Sequence, residues 1–256
     1  MTAVAVDRPA APSLLALTAV ELRKMTDTRA GRWLLASVVL IGAALVGVVL
    51  FAVPRAELTM EELFGAATSG AFILLPVVGV LSVASEWSQR TALSTFTLVP
   101  RRERVVAAKL AAASVLTAVF WAVSSALAWA GRALAEALDR TDAGWGLPPR
   151  LAASALLLML LGTLGGVAFG MLFPSPPLAI VLLFALPIVW GILGETVSAL
   201  NDVAGWLDTG RTGEPFMDPG ARLTGEAWAR LAVSQAVWLG APLLLGHLRV
   251  VRREVT

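Results

Sequence analysis

The charged residues of this chain are confined to short segments that are separated by long uncharged stretches. Five stretches contain no Asp, Glu, Lys or Arg: 33–54, 63–85, 110–131, 151–194 and 231–248. A helix that rises about 1.5 Å per residue needs about 20 apolar residues to cross a hydrocarbon core of roughly 30 Å. The stretch 151–194 is long enough for two spans, and the prolines at 174, 176 and 177 would break a helix near its middle. The pattern therefore predicts six membrane-spanning helices.

The predicted fold is an all-α membrane protein in which six transmembrane helices follow an N-terminal interfacial amphipathic helix. The predicted spans cover about 33–53, 65–85, 106–130, 151–172, 177–194 and 228–247. They form a transmembrane domain at 33–248, between an N-terminal segment at 1–32 and a basic tail at 249–256. Composition agrees with this prediction, because only 15% of the 256 residues are charged, against about 25% in soluble domains.

The charges of the polar segments predict the orientation in the membrane. Segments 1–32, 86–109 and 249–256 together hold 13 Lys and Arg against 6 Asp and Glu. The remaining polar segments, 55–62, 132–150 and 195–230, hold 7 Lys and Arg against 12 Asp and Glu. Cytoplasmic loops of membrane proteins carry the excess of Lys and Arg. We therefore expect a multi-pass membrane protein with both termini in the cytoplasm.

Two polar segments are expected to contain further helices. Residues 13–30 place Leu15, Ala19, Leu22 and Met25 on one helical face, which favours a helix that lies along the membrane and contacts lipid. A soluble capping helix is the alternative. Residues 195–227 carry apolar residues at helical spacing, which fits either a helix that dips into the membrane or a cap over the spans.

The residues needed for several kinds of chemistry are missing from the sequence. The two lysines, Lys24 and Lys109, do not follow glycine, so the chain has no phosphate-binding loop for ATP. Cysteine is absent and His247 is the single histidine, which argues against a metal site and against a catalytic triad. The predicted span centres hold no charged residue, which disfavours a proton relay. We therefore expect no catalytic residue, metal or cofactor in this chain, and no nucleic-acid partner.

The fourth predicted span contains glycines at four-residue spacing. Gly162, Gly166 and Gly170 would form a flat ridge that lets another helix approach closely. Static packing is the simpler interpretation, and a surface on which helices slide is the alternative.

The loop at 86–109 combines charged ends with an apolar centre. Leu93, Phe96 and Val99 recur at three-residue spacing between Arg90 and Arg101. A short helix here would present these side chains to a cytoplasmic partner. A turn that faces the membrane between basic anchors is the alternative.

Several residues of this loop resemble the segment after the second span in permeases of the type-2 ABC transporter family. The segments that carry the resemblance are Glu86, Arg90-Thr91-Ala92, Pro100-Arg101-Arg102, Arg104-Val105 and Lys109. Arg90 stands where the family commonly has glycine. The entry helix, the six predicted spans and the cytoplasmic termini are also similar to that family.

The resemblance implies an integral-membrane subunit that works as a dimer, with a second copy or a homologous permease. Each half would dock through this coupling loop on a separate ABC ATP-binding subunit, which would hold ATP and Mg²⁺. The residues expected to couple the chain to the ATPase are Glu86, Arg90, Thr91, Leu93, Phe96, Val99, Pro100, Arg101, Arg104 and Lys109.

The expected function is export of a lipophilic drug, antibiotic or peptide from the cytoplasm or inner leaflet by alternating access. One alternative is a permease for a polysaccharide or glycolipid, although Tyr is absent and aromatic residues make up only 7% of the chain. Another is a membrane scaffold or immunity protein without transport activity, because a scaffold needs only packed helices.

Overall fold

The computed structural model of the chain describes residues 12–89 and 101–252. Helices account for 85% of these residues, and no strand occurs among them. The helices are α1 (Leu14–Asp27), α2 (Arg29–Ala52), α3 (Met60–Ser88), α4 (Arg102–Ala137), α5 (Pro149–Leu172), α6 (Pro176–Thr196), α7 (Asn201–Leu207), α8 (Thr209–Met217), α9 (Gly225–Gln235) and α10 (Ala241–Arg252).

Within residues 12–89 and 101–252, six helical segments are long and apolar enough to cross a membrane. Five of them are α2 to α6, and the sixth runs from Gly225 to Val250. This last span joins α9 to α10 through a π-helical segment, Ala236–Gly240. The predicted fold class of an all-α protein with six apolar spans is therefore confirmed, and the break between the fourth and fifth spans falls at the predicted prolines.

Helix α3 lies at the centre of the bundle, between α2, α4 and α5. In its most apolar window 61% of the residues are buried, against 28% for α2 and 11% for α6. Glycine permits this crowding: Gly42 of α2 lies against the backbone of Ala67, and Gly70 of α3 lies against that of Val38. The spans on the outside of the bundle expose apolar side chains instead, as expected for a lipid-facing surface.

Helix α1 is present, and the face that it turns towards the spans contains a charged residue. Ser13 caps it by accepting a hydrogen bond from the backbone N–H of Ala16 at 3.1 Å. Met25 and Glu21 are buried, whereas Leu15 is 81% exposed. The predicted apolar stripe is therefore divided between an inward position and an exposed one. Its placement along the membrane stays a prediction.

The segment after α6 folds into a helical hairpin, formed by α7 and α8. Helix α7 runs back along α6, so that Ala204 lies beside Gly194 and Asp208 beside Gly191. Helix α8 then returns past Leu158 to the start of α5, where Arg150 donates hydrogen bonds to the carbonyl of Asp218 at 2.5 Å and to that of Pro219 at 2.8 Å. The hairpin thus lies alongside the spans rather than across their ends.

The two ends of the bundle are named by these segments. We call the end where α6 ends and α9 begins the hairpin end, and the opposite end, where α3 ends and α4 begins, the loop end.

Candidate functional site

Most of the predicted coupling residues lie outside the described part of the chain. These are Arg90, Thr91, Leu93, Phe96, Val99 and Pro100. Glu86, Arg101, Arg104 and Lys109 are described, and they flank the undescribed centre of the loop on both sides.

Two of the described coupling residues meet in a cluster of four charged groups at the loop end. Lys109 Nζ lies 2.6 Å from Glu21 Oε2 and 3.0 Å from Glu86 Oε1. Lys24 Nζ lies 2.8 Å from Glu21 Oε1 and 2.9 Å from Glu86 Oε1. The cluster therefore uses both lysines of the chain, and its formal charges cancel.

Burial makes these contacts strong. The side chains of Lys109 and Glu21 are each 5% exposed, and that of Glu86 is 13% exposed. The ammonium group of Lys109 also donates a hydrogen bond to the backbone carbonyl of Ser82 at 2.8 Å. Buried charges are tolerated when they are paired and hydrogen-bonded in this way, and removal of one partner leaves the others uncompensated.

Lys24 is the most accessible member of the cluster, with 39% of its side chain exposed. Burial by itself lowers the pKa of Lys24, but hydrogen bonds and negative charge from Glu21 and Glu86 outweigh it and hold that pKa above its ordinary value. Lys24 therefore remains charged at neutral pH, and the cluster stays intact.

The cluster connects three helices at the two ends of the coupling loop. Glu86 lies in the last turn of α3 and Lys109 lies two turns into α4, so both ends of the predicted loop segment 86–109 are helical. Both contact α1, whose Glu21 and Lys24 are one helical turn apart. Because Lys109 is buried on these partners, its side chain fixes α4 to α1 rather than offering a surface for another protein.

Arginines add further ties at the loop end. Arg104 donates a hydrogen bond to the carbonyl of Pro12 at 2.6 Å, in front of α1. Arg102 donates to the carbonyl of Val250 at 2.8 Å, near the end of α10. Of these three arginines, Arg101 is the exposed one.

The structure places the predicted glycine ridge against α3. Gly166 lies directly on the backbone carbonyl of Pro76, and Gly170 lies on that of Val80. Gly162 faces the ring of Pro76. Gly166 and Gly170 therefore bring the backbones of α5 and α3 into contact at the centre of the bundle, whereas Gly162 packs on a side chain.

Glu21 and Lys24 were not among the predicted site residues, although the sequence shows them as a Glu–Lys pair at i and i+3 between apolar residues.

Among the described residues, no group of three or more His, Cys, Asp or Glu side chains could hold a metal ion.

The fold and the cluster together define a multi-pass, all-α membrane protein with a cluster of paired charged side chains at one end. Comparison with known proteins adds no assignment, since neither a protein-family model nor a curated protein matches the chain.

Proposed function

We propose that this chain is the permease subunit of an ATP-driven ABC exporter in the bacterial plasma membrane. It moves a lipophilic drug, antibiotic or peptide out of the cytoplasm or inner leaflet by alternating access. It acts as a dimer with a second copy or a homologous permease. The coupling loop at 86–109 docks on a separate ATP-binding subunit, which supplies ATP and Mg²⁺.

The ion cluster is the observation that supports this proposal most directly. A loop that receives force from another protein must be attached to the helices that the force is to move. Glu86 and Lys109 attach the two sides of this loop to α1, and α1 continues into the first span after only Thr28. A displacement of the loop would therefore reach α1, α3 and α4 together.

The packing of α3 gives that displacement a route into the bundle. Its backbone contacts α2 at Gly42 and α5 at Gly166, so α3 cannot move without moving both neighbours. Close-packed interiors transmit such strain because they contain little free volume.

Phe96 provides the test of the proposal, as the largest of the three apolar side chains Leu93, Phe96 and Val99 at the centre of the coupling loop. We expect Phe96→Asp to weaken docking of the ATPase, because truncation of an aromatic residue at an interface centre often costs about 2 kcal/mol or more. The measurement is affinity purification of the tagged chain from native membranes, with the associated ATPase identified by mass spectrometry and assayed for ATP hydrolysis.

Trp206→Ala in the hairpin is the matched control. Trp206 stacks near Arg230, with the guanidinium 5.6 Å from the ring centre, at the end of the bundle opposite the loop. Loss of the ATPase from both variants would indicate general misfolding. A wild-type chain that brings no nucleotide-hydrolysing partner would instead favour a membrane scaffold.

A further inference from the structure

A half-open cavity of about 390 Å³ lies between α3, α5, α6, α8 and the π-helical segment. Its walls are mostly apolar, with Thr209, Gln235 and Trp238 as the lining residues that carry polar groups. Among the described residues, no charged side chain lines it. Its volume is within the range of about 300–1,000 Å³ that small-molecule sites occupy.

Three irregularities of the spans converge on this cavity. Pro76 interrupts the hydrogen bonding of α3, Pro187 interrupts that of α6, and the sixth span changes to π-helix at Ala236–Gly240. A proline has no N–H to donate to the carbonyl four residues earlier, and these carbonyls belong to Phe72 and Leu183. Both residues line the cavity. Irregular backbone at membrane depth is tolerated where it is buried in protein or lines a cavity.

Gly165 shows that one wall of the cavity lacks a side chain. The residue is buried, yet a Cβ atom built on it would meet nothing within 4 Å. Its neighbour Gly166 lies against the carbonyl of Pro76 and has no such space. The glycine pair therefore serves two purposes, with Gly166 closing the contact to α3 and Gly165 leaving the cavity open.

The polar groups lie on one side of the cavity. Thr209 is the first residue of α8, and Gln235 is the last residue of α9 before the π-helical segment. The indole N–H of Trp238 donates to the carbonyl of Leu207 at 2.7 Å, which fixes the ring beside them. The cavity therefore offers a hydroxyl and an amide at one side and apolar side chains elsewhere.

We infer that this cavity binds one uncharged amphiphile, whose hydrogen-bonding head contacts Thr209 and Gln235 and whose apolar body lies along α3, α5 and α6. A charged head is disfavoured, because a buried charge requires a partner that this lining does not provide. The inference deepens the proposed function by naming the class of cargo, and it rests on that function for transport but not for binding.

Photo-crosslinking to the purified chain in phosphatidylcholine nanodiscs, without any ATPase, tests the inference. The probe is monolauroylglycerol with a diazirine in its acyl chain, and the labelled residues are mapped by mass spectrometry. We expect labels on cavity residues such as Leu183 and Leu239. The corresponding lauryl phosphate, which carries the same chain and a negative head, should label them at least tenfold less.

Two glycine variants separate the cavity from the bilayer. Gly165→Leu places a branched side chain inside the cavity, and we expect it to reduce the cavity labels at least tenfold while the melting temperature stays unchanged. Gly47→Leu is the matched control, because Gly47 on α2 also has open space and does not line the cavity. It should label like the wild type.

Equal labelling of Gly165→Leu and wild type, or labels only on lipid-facing residues such as Ile192, would overturn the inference. If Gly165→Leu fails to fold, Gln235→Leu decides, since loss of the amide should abolish the preference for the glycerol head over the phosphate. Cavity labels in a chain that brings no ATPase would leave the inference intact and contradict the proposed function. Co-purification of an ATPase without cavity labels would overturn the inference and leave the proposed function intact.

Discussion

The two ends of the bundle are held together by different interactions. At the loop end, four charged groups on α1, α3 and α4 pair at 2.6–3.0 Å and are largely withdrawn from water. At the hairpin end, ion pairs such as that of Arg55 and Asp142 are exposed, and aromatic rings and backbone carbonyls make further contacts, such as the edge-to-face pair of Phe216 and Trp228 at 4.7 Å. A cavity remains open beneath them.

This difference indicates that the two ends of the bundle differ in how firmly their packing is defined. Paired buried charges have one well-defined arrangement, because each shift separates opposite charges in a medium of low dielectric constant. Pro76, Pro187 and a π-helical segment instead interrupt the regular hydrogen bonding of the spans beside the cavity. Under the proposed function, the loop end would receive a movement and the irregular part of the bundle would change shape in response.

The largest expected effect is that of Lys109→Met. This change removes the cation shared by Glu21 and Glu86, so that two largely buried carboxylates each lose an ionic partner. We expect the chain to lose about 3–5 kcal/mol of stability, measured as a lower melting temperature in detergent. Glu21→Gln added to Lys109→Met should restore part of the loss. A melting temperature equal to that of the wild type would mean that the cluster does not hold the loop end together.

The next effect distinguishes two adjacent glycines. Gly166→Leu inserts a branched side chain against the carbonyl of Pro76, and overpacking of this kind costs about 1–3 kcal/mol. Gly165→Leu places the same side chain in open space and should not lower the stability. Thermal unfolding of the two variants checks this contrast, which fails if both melt at the same temperature.

The spans could be predicted from the sequence, because the hydrophobic effect acts on each helix separately. The charge-free stretch 110–131 predicted a span at 106–130, and α4 extends beyond it at both ends. The extra turns are helical through local hydrogen bonds and need no apolar residues, so an uncharged stretch gives only the minimum length of a helix.

The cluster could not be predicted in the same way, because its partners come from distant parts of the chain. Glu21 and Lys109 are 88 positions apart, and nothing in the neighbourhood of Glu21 shows that it faces inward. The hairpin at the other end depends on contacts of a similar kind, such as Trp238 with the carbonyl of Leu207, 31 positions away. Such pairings appear only when the helices have been packed.

The smallest expected effect concerns an exposed ion pair at the hairpin end. Arg55 donates hydrogen bonds to both carboxylate oxygens of Asp142, at 2.7–3.0 Å, and holds the pKa of Asp142 below its ordinary value. A lowered carboxyl pKa adds stability that is present above the ordinary value, about 3.9, and is lost as the pH falls through the folded-state value.

Asp142→Asn should therefore reduce the decline of the melting temperature below about pH 4. The exposed carboxylate of Asp27, changed to Asn, is the control. Identical acid profiles for Asp142→Asn and wild type would show that this pair contributes nothing to the pH dependence.

The most direct test of the account uses Lys24, the cluster member whose removal the fold tolerates best because 39% of its side chain is exposed. Lys24→Met should keep the ATPase bound but lower the amount of cargo moved per ATP hydrolysed, measured in proteoliposomes that contain the co-purified complex. Arg23→Met, at the exposed neighbouring position, should leave that ratio unchanged. An unchanged ratio in Lys24→Met would contradict the claim that the cluster connects the coupling loop to the spans.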